Sequence, residues 1–239
     1  MSDIEWSTTS KQSLGHGVKF MVYGNAGSGK TALVPTLPKP LLISAENGLL
    51  SLTRKNIERM HGVNTPGICY DIPVAKINSL EGINKVLSWL DVPSNRSQFS
   101  SIAVDSISEI AEVVLAQALK EISHGEAAYG EMARNMVKLC KALRDMEGMH
   151  VYFSAKLGFS KQTNMFGPLF PGQVLPPDAP YWLDELFHLK IVKDAEGNDV
   201  RVLQTAVDSQ YNAKDRSGAL DTRGEWPNLS NIIAKISAA

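Results

Sequence analysis

The chain has 239 residues, 44% of them apolar and 21% charged, an ordinary balance for one large domain with a substantial core. Its formal net charge of −1 excludes a global electrostatic attraction to nucleic acid, so any such binding must come from a local patch. The isolated Cys69 and Cys140 give no zinc spacing and fit a reducing, intracellular compartment, and the acidic start Met1-Ser2-Asp3-Ile4-Glu5-Trp6 lacks the apolar core of a secretory signal.

Residues 1–16 are polar and read as a loosely held arm, or as a strap onto a neighbouring subunit; residues 17–239 read as a single domain. Residues 18–23 form an apolar, β-prone run and predict a buried strand. Next comes Gly24-Asn25-Ala26-Gly27-Ser28-Gly29-Lys30-Thr31, which fits the phosphate-binding loop G-x-x-x-x-G-K-[ST]. Its glycines let the backbone wrap a phosphate and aim N–H groups at it, and a helix starting near Gly29 adds its positive end. Lys30 would reach the β- and γ-phosphates of a nucleotide, and the Thr31 hydroxyl would ligate Mg²⁺. Pro35 and Pro38 keep the following helix short. Residues 40–44 read as a second strand, close to the first, with Glu46 at its end.

Residues 49–66 read as a helix or turn that places Arg54 near the nucleotide, where it could stack on the base or remain a surface arginine. Residues 68–72 read as an edge strand. A helix is predicted over 79–90, with Ser79 as its N-cap. Residues 101–104 are a buried strand ending in Asp105, and helices are expected over 107–122 and 127–147. The segment 102–119 is broken by Asp105, Glu109 and Glu112 and cannot span a membrane. The methionine stripe of the second helix reads as core. A strand over 149–155 precedes an aperiodic stretch, 157–180. Strands over 185–193 and 199–206, a charged turn at 210–218 and a helix over 226–236 close the chain. Alternating strands and helices predict an α/β domain with a mostly parallel sheet and antiparallel additions near the C-terminus.

Ligands of such sheets bind beyond the C-terminal strand ends, where the loop, Glu46, Asp105 and 154–156 converge. Asp105 reads as the Mg²⁺-holding Walker B acid. Ser106 occupies the position where many motor ATPases carry a glutamate, so Glu46 is the candidate to orient the attacking water. Ala45-Glu46 after an apolar strand, together with Ile102-Ala103-Val104-Asp105-Ser106, resembles the RecA-type ATPase core. The short, proline-ended helix and Leu37-Pro38-Lys39-Pro40-Leu41-Leu42 with Glu46-Asn47-Gly48 are similar to compact phage-encoded ATPases of single-strand annealing and recombination.

That resemblance implies a RecA-like fold, ATP and Mg²⁺ as cofactors, Glu46 as the catalytic carboxylate and assembly into a ring or filament. It also implies a Lys-x-Arg finger, here Lys214 and Arg216, that reaches a neighbour's γ-phosphate; the plainer alternative is a solvated charged turn. The stretch from Lys156 to Pro177 lacks acidic residues and corresponds to the single-stranded-DNA loop of that core. Lys156 and Lys161 supply charge there, and Phe159, Phe166 and Phe170 offer faces for base stacking unless they are buried. A cytoplasmic protein of a bacterial host, with a single-strand-binding or replication protein as a further partner, is expected. The competing class is a helicase loader or nucleotide switch acting on a protein partner. A small-molecule kinase is disfavoured, because no arginine-rich lid is visible.

Overall fold

The computed structural model describes residues 8–9, 15–46, 48–172 and 175–239. Residues 1–7 and 10–14, and with them the expected strap, lie outside the described residues, as does Asn47. Strands are β1 (Lys19–Gly24), β2 (Pro40–Ser44), β3 (Val74–Lys76), β4 (Ser101–Asp105), β5 (His150–Ser160), β6 (Met165–Pro168), β7 (Glu185–Lys193), β8 (Asp199–Gln204) and β9 (Lys214–Asp215). The longer helices are α1 (Arg54–His61), α2 (Leu80–Asp91), α3 (Ile107–Glu121), α4 (Gly125–Arg144) and α5 (Leu229–Ala238). Among the described residues no helix is long and apolar enough to cross a membrane.

The sheet runs β3-β2-β4-β5-β1-β7-β8, with β6 on β5 and β9 on β7. β1, β2, β3, β4, β5 and β7 are parallel where they pair, and β8, β6 and β9 are antiparallel additions. This is the mostly parallel α/β architecture with antiparallel additions expected from the sequence, with one difference in its wiring. β4 and β5 separate β2 from β1, so the two strands lie about 14 Å apart rather than side by side. The 68–72 segment is not a strand; the edge strand is β3, paired parallel to β2. Within the 157–180 stretch, residues 157–168 form a β5–β6 hairpin rather than an aperiodic loop.

Alternation along the strands divides the core in two. Met21, Tyr23, Ile43, Val104 and Phe153 face α2, α3 and α4, whose Met132, Met136 and Leu143 complete one layer. Phe20, Val22, Leu42 and Tyr152 face the other way, against Leu33 and Val34 after the phosphate loop and Leu229 and Ile232 of α5. Each such side chain contributes roughly 1.5–3 kcal/mol on burial. The loop is followed by a six-residue 3-10 helix, Thr31–Thr36, containing Pro35. α5 is tied to it: Leu229 N donates to Thr36 Oγ1 (3.0 Å) and Ser230 Oγ to Thr36 O (2.6 Å).

At the opposite end of β1 the fully buried Lys19 ammonium donates to His16 O (2.5 Å) and Met149 O (2.6 Å). Beside it Glu185 is 1% exposed and faces Asp215 across the β7–β9 pair. Burial, and then the charge of Asp215, push its carboxyl up to about 8 from 4.5. A raised carboxyl pKa stabilises the fold fully below the unfolded value, and that contribution is lost as pH rises towards the folded value. Between about pH 5 and about pH 8.5 the wild-type melting temperature should therefore fall by about 5 °C more than that of Glu185→Gln. Parallel melting curves for the two proteins would contradict this protonation.

Candidate functional site

β1 delivers the chain to Gly24, where the loop 24–31 turns beneath an open cleft of about 660 Å³. Gly29 sits at φ +108°, and a side chain there would come within 2.9 Å of Arg201 Nε, so only glycine fits without strain. The backbone N–H groups of Gly27, Gly29 and Lys30 find no acceptor among the described residues, which leaves them for an anion. Lys30 Nζ folds back onto Gly24 O (2.8 Å) and Asn25 O (2.9 Å). Burial lowers its pKa, and the charges of Asp105 and Glu46 oppose that effect. Tyr152 Oη donates to Lys30 O (2.8 Å) and props the loop from β5. Because the helix that follows is a single short 3-10 segment, the expected helix-end field is small, and the cradle rests on loop N–H groups and Lys30.

Asp105 ends β4, nearly buried, and is held on both oxygens. Thr31 Oγ1 donates to Oδ2 (2.7 Å) and Ser154 Oγ, from β5, donates to Oδ1. Ser106 does two jobs: its Oγ accepts from Glu109 N (3.2 Å), capping α3, and donates to Glu46 Oε1 (2.9 Å). Register explains how Glu46 arrives despite the intervening strands. Ser44 of β2 pairs with Asp105 of β4, and two residues later the chain brings Glu46 over the same cleft as Lys30 and Thr31. Thr31 and Asp105 offer hard oxygens at one point, the donor type that Mg²⁺ takes beside phosphate oxygens and water, so these residues fit that ion.

The cleft thus combines an anion cradle, a cation, a metal-type oxygen pair and a carboxylate beyond them. A family model described as an AAA domain matches residues 16–217. The chain belongs to the AAA domain family. It is an ATPase domain of the P-loop type. Among solved structures it resembles a KaiC-like protein of the hyperthermophilic archaeon Pyrococcus horikoshii OT3, at 12% identity and a TM-score of 0.44, over 80% of this chain and 82% of that one. No curated protein sequence matches it.

Several residues of the AAA domain stand elsewhere than the sequence suggested. Arg54 does not line the cleft. It donates to Glu58 Oε1 (2.9 Å) and Asn64 Oδ1 (3.2 Å) and lies over the Tyr70 ring at 4.9 Å. Arg59, five residues on and so on another side of α1, lines the cleft instead. Arg201 of β8 also lines it, its Nε donating to Ser28 O (2.8 Å). Nothing in the local sequence of β8 marks that arginine.

Lys214 is committed within its own subunit, its ammonium on Pro180 O (3.0 Å) and Leu183 O (2.7 Å), and burial lowers its pKa. Arg216 is exposed and bonds Asp184 Oδ1 (3.0 Å), whose other oxygen accepts from Lys19 N (3.0 Å). Arg216 thus lies at the start of β1, the end opposite the phosphate loop of the same AAA domain, whereas Lys214 pairs with Leu186 of β7 and faces the pocket beside the β5–β6 hairpin.

Of the residues expected on a DNA loop, Lys156 lines the nucleotide cleft and is neutralised by Glu109 and Glu112, each at 2.8 Å. Phe170 is buried core. Phe159, 51% exposed, Phe166 and Lys161 line a pocket of about 530 Å³ on the β5–β6 hairpin, with the 78% exposed Tyr181. Lys161 has no ion pair or hydrogen bond among the described residues. The rings continue inward as a ladder the sequence did not reveal: Phe159 on Phe166 (5.2 Å), Phe166 on Tyr211 (5.3 Å), Tyr211 on His188 (4.1 Å) and His188 on Tyr23 (5.2 Å). Tyr23 directly precedes Gly24.

Proposed function

We propose that this AAA domain is a Mg²⁺-dependent ATPase that binds single-stranded DNA on its β5–β6 hairpin and acts in phage-type recombination or annealing. The observation that carries the reading is the ring ladder, which joins an exposed, aromatic hairpin to Tyr23, the residue just before the phosphate loop. Loop N–H groups and Lys30 would take the β- and γ-phosphates. Thr31 and Asp105 would hold Mg²⁺, which when bound neutralises charge across those phosphate oxygens. Glu46, held by Ser106, orients a water and accepts its proton as the water oxygen bonds to the γ-phosphorus. The bond to the β–γ bridging oxygen breaks, giving ADP and phosphate.

A base stacked on Phe159 or Tyr181 meets a sequence-tolerant flat face, and Lys161 offers a free cation for the backbone. The domain's charge of −1 makes a single hairpin a weak site, so copies in a ring or filament would add affinity through repetition. In such an assembly the exposed Arg216 would be the cation offered to a neighbour's γ-phosphate; mixing Glu46→Gln with Arg216→Ala subunits should then restore some hydrolysis, and no restoration would count against it.

Removing Phe159 and Lys161 together by alanine should weaken oligo-dT binding by about 10-fold or more, with a reduced salt dependence, read by fluorescence anisotropy. Lys156→Ala should leave that affinity unchanged, since its charge is already paired. Unchanged affinity in the double variant, or no DNA binding by the wild type alongside nucleotide-dependent binding of another protein, would overturn the DNA reading in favour of a replication switch.

A further inference from the structure

The acidic and metal-type groups occupy one side of the phosphate loop, with Asp105, Thr31 and Glu46 together. A nucleoside triphosphate is linear, so with its γ-phosphate there, its nucleoside must leave on the other side of Gly29. A second cleft of about 460 Å³ opens on that side and shares Gly29, Ala32, Arg59, Met60 and Arg201 with the first. Its lining is mixed: Leu33, Met60, Leu189 and Pro227 give apolar patches among Arg59, His61, Asp199 and Arg201, and Trp226 stands beside them.

Trp226 is 65% exposed, yet its backbone is fixed on both flanks. Glu225 exchanges two main-chain hydrogen bonds with Leu203 of β8, and its carboxylate accepts from Lys235 Nζ at 2.7 Å on each oxygen. On the other flank Asn228 N donates to Trp226 O (2.8 Å), and Leu229 is hung from Thr36 just behind the phosphate loop. The opposite wall is fixed too: His61 Nε2 bonds Ala32 O at 2.7 Å and docks the end of α1 onto the loop's 3-10 helix. Arg59 has no ion pair or hydrogen bond among the described residues and lies where the two clefts meet. A largely exposed indole on a fixed backbone at a cleft mouth offers a flat face for stacking.

The geometry points to a nucleobase subsite in this second cleft, in which Trp226 stacks on the base of the nucleotide whose phosphates occupy the loop, and the free guanidinium of Arg59 faces the junction of base and phosphates. This rests on the reading of the loop as a nucleoside triphosphate site. It makes Trp226 the residue that distinguishes a nucleotide from a bare polyphosphate.

The test is calorimetric titration of the full chain with ATP and, separately, with inorganic tripolyphosphate, each with Mg²⁺, using wild type, Trp226→Ala and Trp226→Phe. The alanine variant should bind ATP about 10-fold more weakly and tripolyphosphate as the wild type does, and phenylalanine should restore most of the ATP affinity. Because the indole is exposed, melting temperatures should match; a variant that loosens both ligands equally shows a structural role and overturns the subsite. ATP affinity unchanged in Trp226→Ala overturns it as well. Wild type that binds neither ligand would overturn the phosphate-loop reading itself, a result separable from both.

Discussion

Replacing Lys30 with alanine is expected to raise the dissociation constant for Mg-ATP by about 100-fold or more and to reduce hydrolysis to background. The Lys30 ammonium now rests on two loop carbonyls, Gly24 O and Asn25 O, at 2.8 and 2.9 Å. Those carbonyls are weak partners for a full charge, and a triphosphate presented to the loop would draw it off as a charge-assisted pair. Burial disfavours the charged ammonium, and an anion in the cleft would offset that cost. The fold should be little affected. Tyr152 bonds the main-chain oxygen of residue 30, which alanine retains. Calorimetric ATP titration with phosphate-release assays and a melting curve checks all three points, and wild-type hydrolysis by Lys30→Ala would remove the loop from the chemistry.

Glu46→Gln is expected to separate binding from turnover. Glutamine keeps an oxygen that accepts from Ser106 Oγ, so the side chain should stay over the cleft, and the glycine loop, Lys30 and Asp105 are untouched. What it lacks is the ability to accept a proton from water, an effect on the order of 10²–10⁴ in kcat. ATP affinity should hold or improve, because a negative charge near the γ-phosphate is gone. Ser106→Ala should fall between wild type and Glu46→Gln: Glu46 loses its tether, and α3 loses its cap at a cost of about 1 kcal/mol. Normal turnover by Glu46→Gln would mean that another group activates water. Glu109 is a poor substitute, since it is held by Lys156 at 2.8 Å.

The loop and Asp105 were legible in the sequence because phosphate and metal chemistry accept few residue types, and each follows an unmistakable buried strand. The methionines of α4 were legible because their spacing matches one helix face. Glu46 was legible as a strand-end carboxylate, but the route that brings it to the cleft was not: strand order is a tertiary property, and two strands stand between β2 and β1. Arg59, Arg201 and Trp226 come from three distant segments and meet only through packing, so no local pattern marks them. The hairpin was read as aperiodic because β5 runs past the buried part of the sheet, where neither face demands apolar alternation. Lys214 and Arg216 carry the spacing of a finger, yet that spacing equally suits alternate ties around a strand, Lys214 to main-chain oxygens and Arg216 to Asp184. The edge strand was displaced a few residues because Ile68–Ile72 and Val74–Lys76 are separated only by Pro73, whose carbonyl serves Leu42 N (2.9 Å).

The most direct measurement is steady-state phosphate release from Mg-ATP by the wild-type chain, with and without oligo-dT, beside the Phe159→Ala/Lys161→Ala variant. The account predicts hydrolysis that rises with the oligonucleotide in wild type and does not rise in the variant, while basal turnover of the two is equal. Hydrolysis indifferent to DNA in wild type, or stimulated equally in the variant, would contradict a DNA-binding hairpin coupled to the phosphate loop.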